Sequence, residues 1–269
     1  MRRSFLLLAP LIMLSACQRE SAPEPMPAGP QAPADVVPAK AAPLQDVIER
    51  TPRYLVGITY PAVANDYPVL ADALSDFAGR ARGELMEAVQ QVATTDSDSP
   101  YDLSLNFVET LKRPDVVVVS ADGSLYTGGA HGIPLVARFT YLPASGRLLQ
   151  ASELVDNEGG WKAISDYARR ALRKSLEERM GAEDIEAGQR DAAVKSAMGM
   201  IDEGTRPVAE NFSQFEPIPS ANGKWYGLRF VFPPYQVGPY SDGTQTVEVP
   251  ASVLLPYVAQ PYRAYFADT

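Results

Sequence analysis

The chain of 269 residues has one histidine, one cysteine and two tryptophans. Each scarcity excludes a chemistry. A zinc site needs several His or Cys ligands, and His131 is the only imidazole. A nucleophilic triad needs a base beside a hydroxyl, and no serine stands in a Gly-x-Ser-x-Gly elbow. One cysteine, Cys17, cannot close an intrachain disulfide. Neither a phosphate loop nor a dinucleotide fingerprint occurs. The expectation is a protein that is not an enzyme and that carries no cofactor and no metal. The apolar run Phe5 to Leu14 is too short to span a bilayer as a mature helix.

What is present begins with an address. Arg2 and Arg3 precede the apolar run, and Leu14-Ser15-Ala16-Cys17 follows it. Small residues before a cysteine resemble a lipobox, so residues 1–16 read as a signal peptide and Cys17 as the lipidation site. An ordinary secretory signal is the alternative, but the sole cysteine sits where acylation needs it. Several acyl chains anchor stably where one gives marginal binding. Gln18 stands where inner-membrane lipoproteins usually carry aspartate. By family habit this points to the outer membrane, facing the periplasm.

Residues 17–45 read as a lipidated Pro/Ala-rich tether. Of the 27 residues Gln18 to Leu44, seven are proline and seven alanine. Such a segment buries too little apolar surface to fold. Extended as polyproline II it reaches roughly 80 Å at about 3.1 Å per residue.

The body starts near Asp46 and shows no repeat. Strand composition marks Arg53 to Tyr60. Leu70, Leu74, Phe77, Ala81, Leu85, Ala88 and Val92 recur at steps of three and four, which predicts a helix over Tyr67 to Val92. Asp96, Asp98 and Asp102 hint at a calcium loop, yet Pro100 and Tyr101 occupy positions where that loop wants a ligand and a glycine. A polar turn is expected there. Strands are expected at Tyr101 to Leu111, Val116 to Val119 (buried on both faces) and Ile133 to Leu142, with a tight turn at Asp122-Gly123. Helices follow at Trp161 to Met180 and Gln189 to Ile201, the latter ended by Gly204. Arg169, Arg170, Arg173 and Lys174 read as a solvated helix face. Glu153, Asp156 and Glu158 precede a helix, where negative charge is favourable. Strands return at Phe212 to Phe215, Trp225 to Phe232 and Thr244 to Val249, and a short helix closes at Ala251 to Val258. The class is α+β, an antiparallel sheet with helices packed on one side.

Two stretches are candidates for function. "TGGAHG", Thr127 to Gly132, sets His131 among Gly128, Gly129 and Gly132, which tolerate positive φ. It reads first as a kinked strand junction. "FVFPPYQVGPYSDG", Phe230 to Gly243, is stiffened by Pro233, Pro234 and Pro239 and carries Tyr235 and Tyr240. Rigid tyrosines suit recognition, because they add contact area at low entropic cost. The alternative is that both rings pack back on the sheet. The candidate ligand-binding residues are Gly129, His131, Pro234, Tyr235, Pro239 and Tyr240.

"YTGGAHG" with the strand and Gly-Arg turn after it resembles the first half of the RsiV-like domain, a family long described as of unknown function. "FVFPPYQVGPYSDGTQTVEVPASVLLPYV" resembles its second half, and "YLVGITYP" with the helix after it is similar to the small domain that accompanies it. The resemblance covers Arg50 to Val258. It implies an N-terminal small domain at 46–126 and an RsiV-like domain at 127–269. In the RsiV type this domain is the extracellular part of an anti-sigma factor and binds lysozyme; a related domain sits beside a peptidoglycan deacetylase. This chain departs from both, with a lipobox in place of a transmembrane helix, no sigma-binding segment and no deacetylase module. What the resemblance implies is a binding domain facing the cell wall, with lysozyme-type muramidases as the first partner. Peptidoglycan binding without inhibition is the second reading, and a hydrolase using His131 the third.

Charge agrees with a cationic protein partner. Without Arg2 and Arg3, 22 basic residues face 33 acidic ones, a net of −11. An acidic surface repels nucleic acid and favours cationic proteins.

Overall fold

The computed structural model describes residues 43–91, 100–182 and 186–267, all within one unit from Ala41 to Thr269. Cys17, the signal peptide, nearly all of the tether, and Asp96 and Asp98 lie outside the described residues.

Six strands form the first sheet in chain order: β1 (Val47–Arg50), β2 (Tyr54–Thr59), β3 (Tyr101–Lys112), β4 (Val117–Tyr126), β5 (Ile133–Leu142) and β6 (Arg147–Leu148). Between β2 and β3 runs the helix α1 (Pro68–Gln91), and these two strands are parallel. A parallel pair needs a crossover of this kind, whereas the other pairs are antiparallel and close through short connections. Leu70, Leu74, Ala78, Ala81, Leu85 and Val89 form the buried stripe of α1. It packs on Val56, Ile58, Leu103, Leu105, Phe107, Val117, Val119 and Ala121.

The opposite face of the sheet meets a second core. Val116 and Val118 belong to it, while Val117 and Val119 face α1, so the β-branched run is buried on both faces as its composition predicts. The second core gathers α2 (Ala151–Leu154), α3 (Glu158–Ala182), α4 (Ala187–Gly204), α5 (Ala251–Leu254) and an antiparallel sheet of β7 (Phe215–Pro219), β8 (Trp225–Phe232) and β9 (Gln245–Pro250). The α+β class stands. It is realised with two sheets rather than one, and with apolar layers on both faces of the larger one. Among the described residues no helix is long and apolar enough to cross a membrane.

Several local expectations are corrected. Asp122-Gly123 is not a turn but lies inside β4, where Gly123 pairs with Leu105 and Leu135. A Cβ at Gly123 would stand 2.0 Å from the Ser104 carbonyl oxygen, so the glycine serves close strand approach. Phe212 ends a 3-10 turn, and β7 starts at Phe215. The last α-helix stops at Leu254, four residues before Val258. β1 was not anticipated; four residues carry too little pattern. The basic face of α3 is not simply solvated, since Arg169 and Arg173 both pair with Asp202 of α4, at 3.1 and 2.6 Å.

Candidate functional site

The site is set up by a seam between the two sheets. Along most of β5 the outer edge has no strand partner, because β6 pairs only at Tyr141 and Leu142. Gln214, just before β7, and the backbone of Phe215 cap that edge. The Arg138 backbone N–H donates to Oε1 of Gln214 at 2.7 Å, and the buried Thr140 hydroxyl donates to the Phe215 carbonyl at 3.1 Å. The residues between β8 and β9 thereby arrive beside the loop between β4 and β5.

The β8–β9 segment is pinned from three directions. Gln236 donates its side-chain amide to the carbonyls of Gly204 and Asn211, at 3.0 and 2.8 Å. Arg179 at the end of α3 pairs with Asp242 at 2.9 Å. Val237 is buried in the second core. At Gly204 the approach is so close that a Cβ would stand 1.9 Å from the Gln236 carbonyl oxygen. Between these anchors the chain turns back on itself, with Tyr235 N–H donating to the Gly238 carbonyl at 3.0 Å. Tyr235 takes φ 73°, the sole positive φ of a non-glycine among the described residues. A side chain there is strained, and such strain persists only where surroundings over-determine it.

The β4–β5 loop is shaped by its glycines. Gly128 and Gly129 both take φ 100°, as their type allows. Gly132 does not; a Cβ there would stand 3.2 Å from Cβ of Ser124, so close packing is its reason. The Tyr126 hydroxyl donates to the Gly129 carbonyl at 3.2 Å and braces the loop.

These two loops bring the candidate residues together. Nε2 of His131 lies 2.7 Å from the Tyr235 hydroxyl. The His131 ring stacks on Tyr240 at 4.0 Å between centroids and 11° between planes. Tyr235 and Tyr240 stand 5.7 Å apart. The tyrosines are 51% and 37% exposed, and His131 is exposed as well. The rings therefore pack on one another at the surface and not back on the sheet. Pro239 immediately precedes the 3-10 turn that carries Tyr240, and Pro234 precedes Tyr235. Tyr126, Gln236 and Arg179, which complete the setting, were missed. Tyr126 adjoins "TGGAHG" and could have been included; nothing local distinguishes the other two.

His131 is bonded to a tyrosine hydroxyl and has its other nitrogen 3.3 Å from the Gly132 carbonyl; among the described residues no serine or carboxylate bonds to it. Asp122 is engaged by Arg138 at 3.2 Å. Among the described residues no group of three or more His, Cys, Asp or Glu is placed to hold a metal. A second feature lies on the face of β1–β3 away from α1. There a trough of about 550 Å³ is lined by Ile48, Leu55, Gly57, Asp102, Ser104 and Asn106 among others, and Ile48 is 71% exposed. Burial pushes the Asp102 carboxyl above the ordinary aspartate range. Asp102 is the register partner of Tyr126, whose hydroxyl braces the β4–β5 loop.

A family model described as "Protein of unknown function (DUF3298)" matches residues 154–252. That span includes Pro234, Tyr235, Pro239 and Tyr240 but not His131. Two solved structures of DUF3298 family proteins are similar to the chain. One, from Pseudomonas aeruginosa, is 14% identical with a TM-score of 0.54, over 86% of this chain and 100% of that one. The other, from Bacteroides fragilis, is 13% identical with a TM-score of 0.48, over 79% of this chain and 87% of that one. No curated protein matches. The body of this chain thus has the fold of the Pseudomonas aeruginosa protein, and its residues 154–252 match the DUF3298 family, whose description assigns no function.

Proposed function

We propose that the protein is an outer-membrane lipoprotein, anchored through Cys17 and facing the periplasm, whose RsiV-like body binds a folded cationic protein. Lysozyme-type muramidases come first, and binding them would protect peptidoglycan. The observation that carries this reading is the meeting of His131, Tyr235 and Tyr240 on one exposed surface held by pinned loops. Interface energy concentrates in a few aromatic anchors, and a surface already ordered loses little entropy on binding. The likeness of "YTGGAHG" and "FVFPPYQVGPYSDG" to a lysozyme-binding domain supports the same choice, as does the net charge of −11 on the mature chain.

Calorimetry of the body, residues 41–269, against a c-type lysozyme tests it at low and physiological salt. Binding that weakens with salt is expected, since screening shortens to about 8 Å at 0.15 M. Absence of heat at high micromolar concentration removes lysozyme as the partner. Anchoring is tested apart from binding: Cys17→Ala should release the protein from membranes and abolish palmitate labelling.

The trough in which Asp102, Ser104 and Asn106 stand beside the apolar Ile48 and Leu55 gives a second reading, peptidoglycan binding without inhibition. A pull-down with purified peptidoglycan beside one with a muramidase separates the two.

A further inference from the structure

The aromatic cluster contains a hydrogen bond whose direction depends on one proton. Nδ1 of His131 faces the Gly132 carbonyl at 3.3 Å, and a carbonyl only accepts. With Nδ1 carrying the hydrogen of the neutral ring, that contact is a hydrogen bond, and Nε2 accepts the hydroxyl hydrogen of Tyr235 across 2.7 Å. With that hydrogen turned inward, the Tyr235 oxygen offers only lone pairs to a ligand. Protonation places a second hydrogen on the ring, at Nε2. Two hydrogens cannot point into the same gap, so the tyrosine oxygen must accept and its own hydrogen must turn outward. The same proton puts a positive charge on a ring stacked 4.0 Å from Tyr240, where an aromatic face stabilises a cation. Hydrogen-bond polarity thus reverses as the positive charge appears.

No other imidazole exists in the chain to share this role. Titratable and charged groups near this surface include Tyr101 and Asp102 of β3, Tyr126 and Asp122 of β4, Arg138 of β5, Tyr235, Tyr240 and Asp242 of the β8–β9 segment, and Arg179 near the end of α3. Asp122 is paired with Arg138 and Asp242 with Arg179. Among these residue types only histidine ordinarily changes charge between about pH 5 and 8.

We infer that His131 is a proton-controlled polarity switch of this binding surface. Neutral, the surface accepts hydrogen bonds and suits a cationic, donor-rich partner. Protonated, it is cationic, donates, and suits an anionic one. The choice of a cationic partner rests on the muramidase reading; the switch itself does not.

The test uses the mature chain in detergent micelles with ¹⁵N-labelled histidine, titrated from pH 8 to 5. At pH 8 the Nδ1-protonated tautomer is expected, and the ring signals of Tyr235 and Tyr240 should move with the histidine midpoint. In parallel, affinity for a c-type lysozyme should be about fivefold weaker at pH 5.5 than at pH 8, the effect of one unit charge about 4 Å from a cation in water. His131→Gln keeps an acceptor without the titration and should flatten that difference, which separates His131 from groups on the lysozyme. An Nε2-protonated tautomer, or tyrosine signals that ignore the titration, overturns the switch. Equal lysozyme affinity at both pH values overturns the gating of binding and leaves the muramidase reading standing. Tyrosine signals that follow the histidine without any lysozyme binding support the switch and sink the muramidase reading.

Discussion

The Tyr235 hydroxyl lies 2.7 Å from Nε2 of His131, although 104 positions separate the two residues in the chain. Neither loop forms the surface alone. The glycine-shaped loop supplies the imidazole and bare backbone, and the proline-stiffened segment supplies two phenol rings. Substitutions that act on the rings, on the backbone that holds them and on the sheet beneath them should therefore separate.

Truncating either tyrosine should weaken binding without unfolding the body. For Tyr235→Ala and Tyr240→Ala the expected loss is about 2 kcal/mol, roughly thirtyfold in affinity, which calorimetry against lysozyme reads. Both rings are exposed, so melting temperatures should stay near the wild type. Binding indifferent to both changes would place the contact elsewhere, with the trough at Gly57 and Ser104 the next surface to mutate.

Backbone strain at Tyr235 gives a cleaner comparison. At φ 73° any L side chain with a Cβ is disfavoured by about 1 kcal/mol or more, while glycine is not. Tyr235→Gly and Tyr235→Ala both remove the ring and its bond to His131. The glycine variant should nevertheless be the more stable of the two by about 1 kcal/mol in urea denaturation. An alanine variant at least as stable as the glycine one would mean that position 235 is not left-handed in solution.

Three glycines should respond differently for stated reasons. Gly123→Ala drives a Cβ onto the Ser104 carbonyl and should cost about 1–3 kcal/mol of stability. Gly129→Val meets open space but an unfavourable φ of 100°, a cost of about 1–2 kcal/mol. Gly204→Ala pushes on the Gln236 carbonyl and so on the segment that carries Tyr235 and Tyr240. It should reduce lysozyme affinity as well as melting temperature. Gly123→Ala, seated within the sheet, should lower the melting temperature and leave affinity intact at a temperature where the body is folded.

Two carboxylates should give opposite pH responses. Burial raises the Asp102 carboxyl, so the folded state holds its proton more tightly than the unfolded chain does. The ionised form is thus a handicap that is fully present above the raised folded value and disappears as pH falls below the unfolded one. Asp102→Asn should therefore melt higher than the wild type at pH 7, with the gap closing by pH 3. Glu248 is held below the ordinary glutamate range by its hydrogen bond from Arg229, despite partial burial. Its contribution is present above the unfolded value and lost as pH falls, so Glu248→Gln should melt lower at pH 7 and match the wild type in acid. Melting curves at the two pH values check both signs.

Much of the fold was legible because helix and strand periods are local. The stripe Leu70, Leu74, Ala81, Leu85 announces α1, and the run Val116 to Val119 announces a strand with apolar layers on both sides. Local signals failed where a neighbouring chain decides the outcome. Asp122-Gly123 carries a turn signal, yet the backbone of Ser104 lies so close that the glycine is there to admit it. The parallel pairing of β2 and β3 and the split into two sheets are likewise properties of how elements meet.

The sequence by itself determined which residues are unusual: the lone imidazole, the glycines around it, and two tyrosines on a stiff proline-rich segment. Residue type is enough for that, since positive φ, ring stiffness and hydrogen-bonding capacity belong to single side chains. Only the tertiary structure decided that these residues share one surface. Their meeting depends on the bonds from Arg138 to Gln214 and from Thr140 to Phe215, and on the packing of Gly204 beneath Gln236. Each of those contacts joins groups far apart in the chain, whose approach is set by the register of two sheets and not by any local pattern.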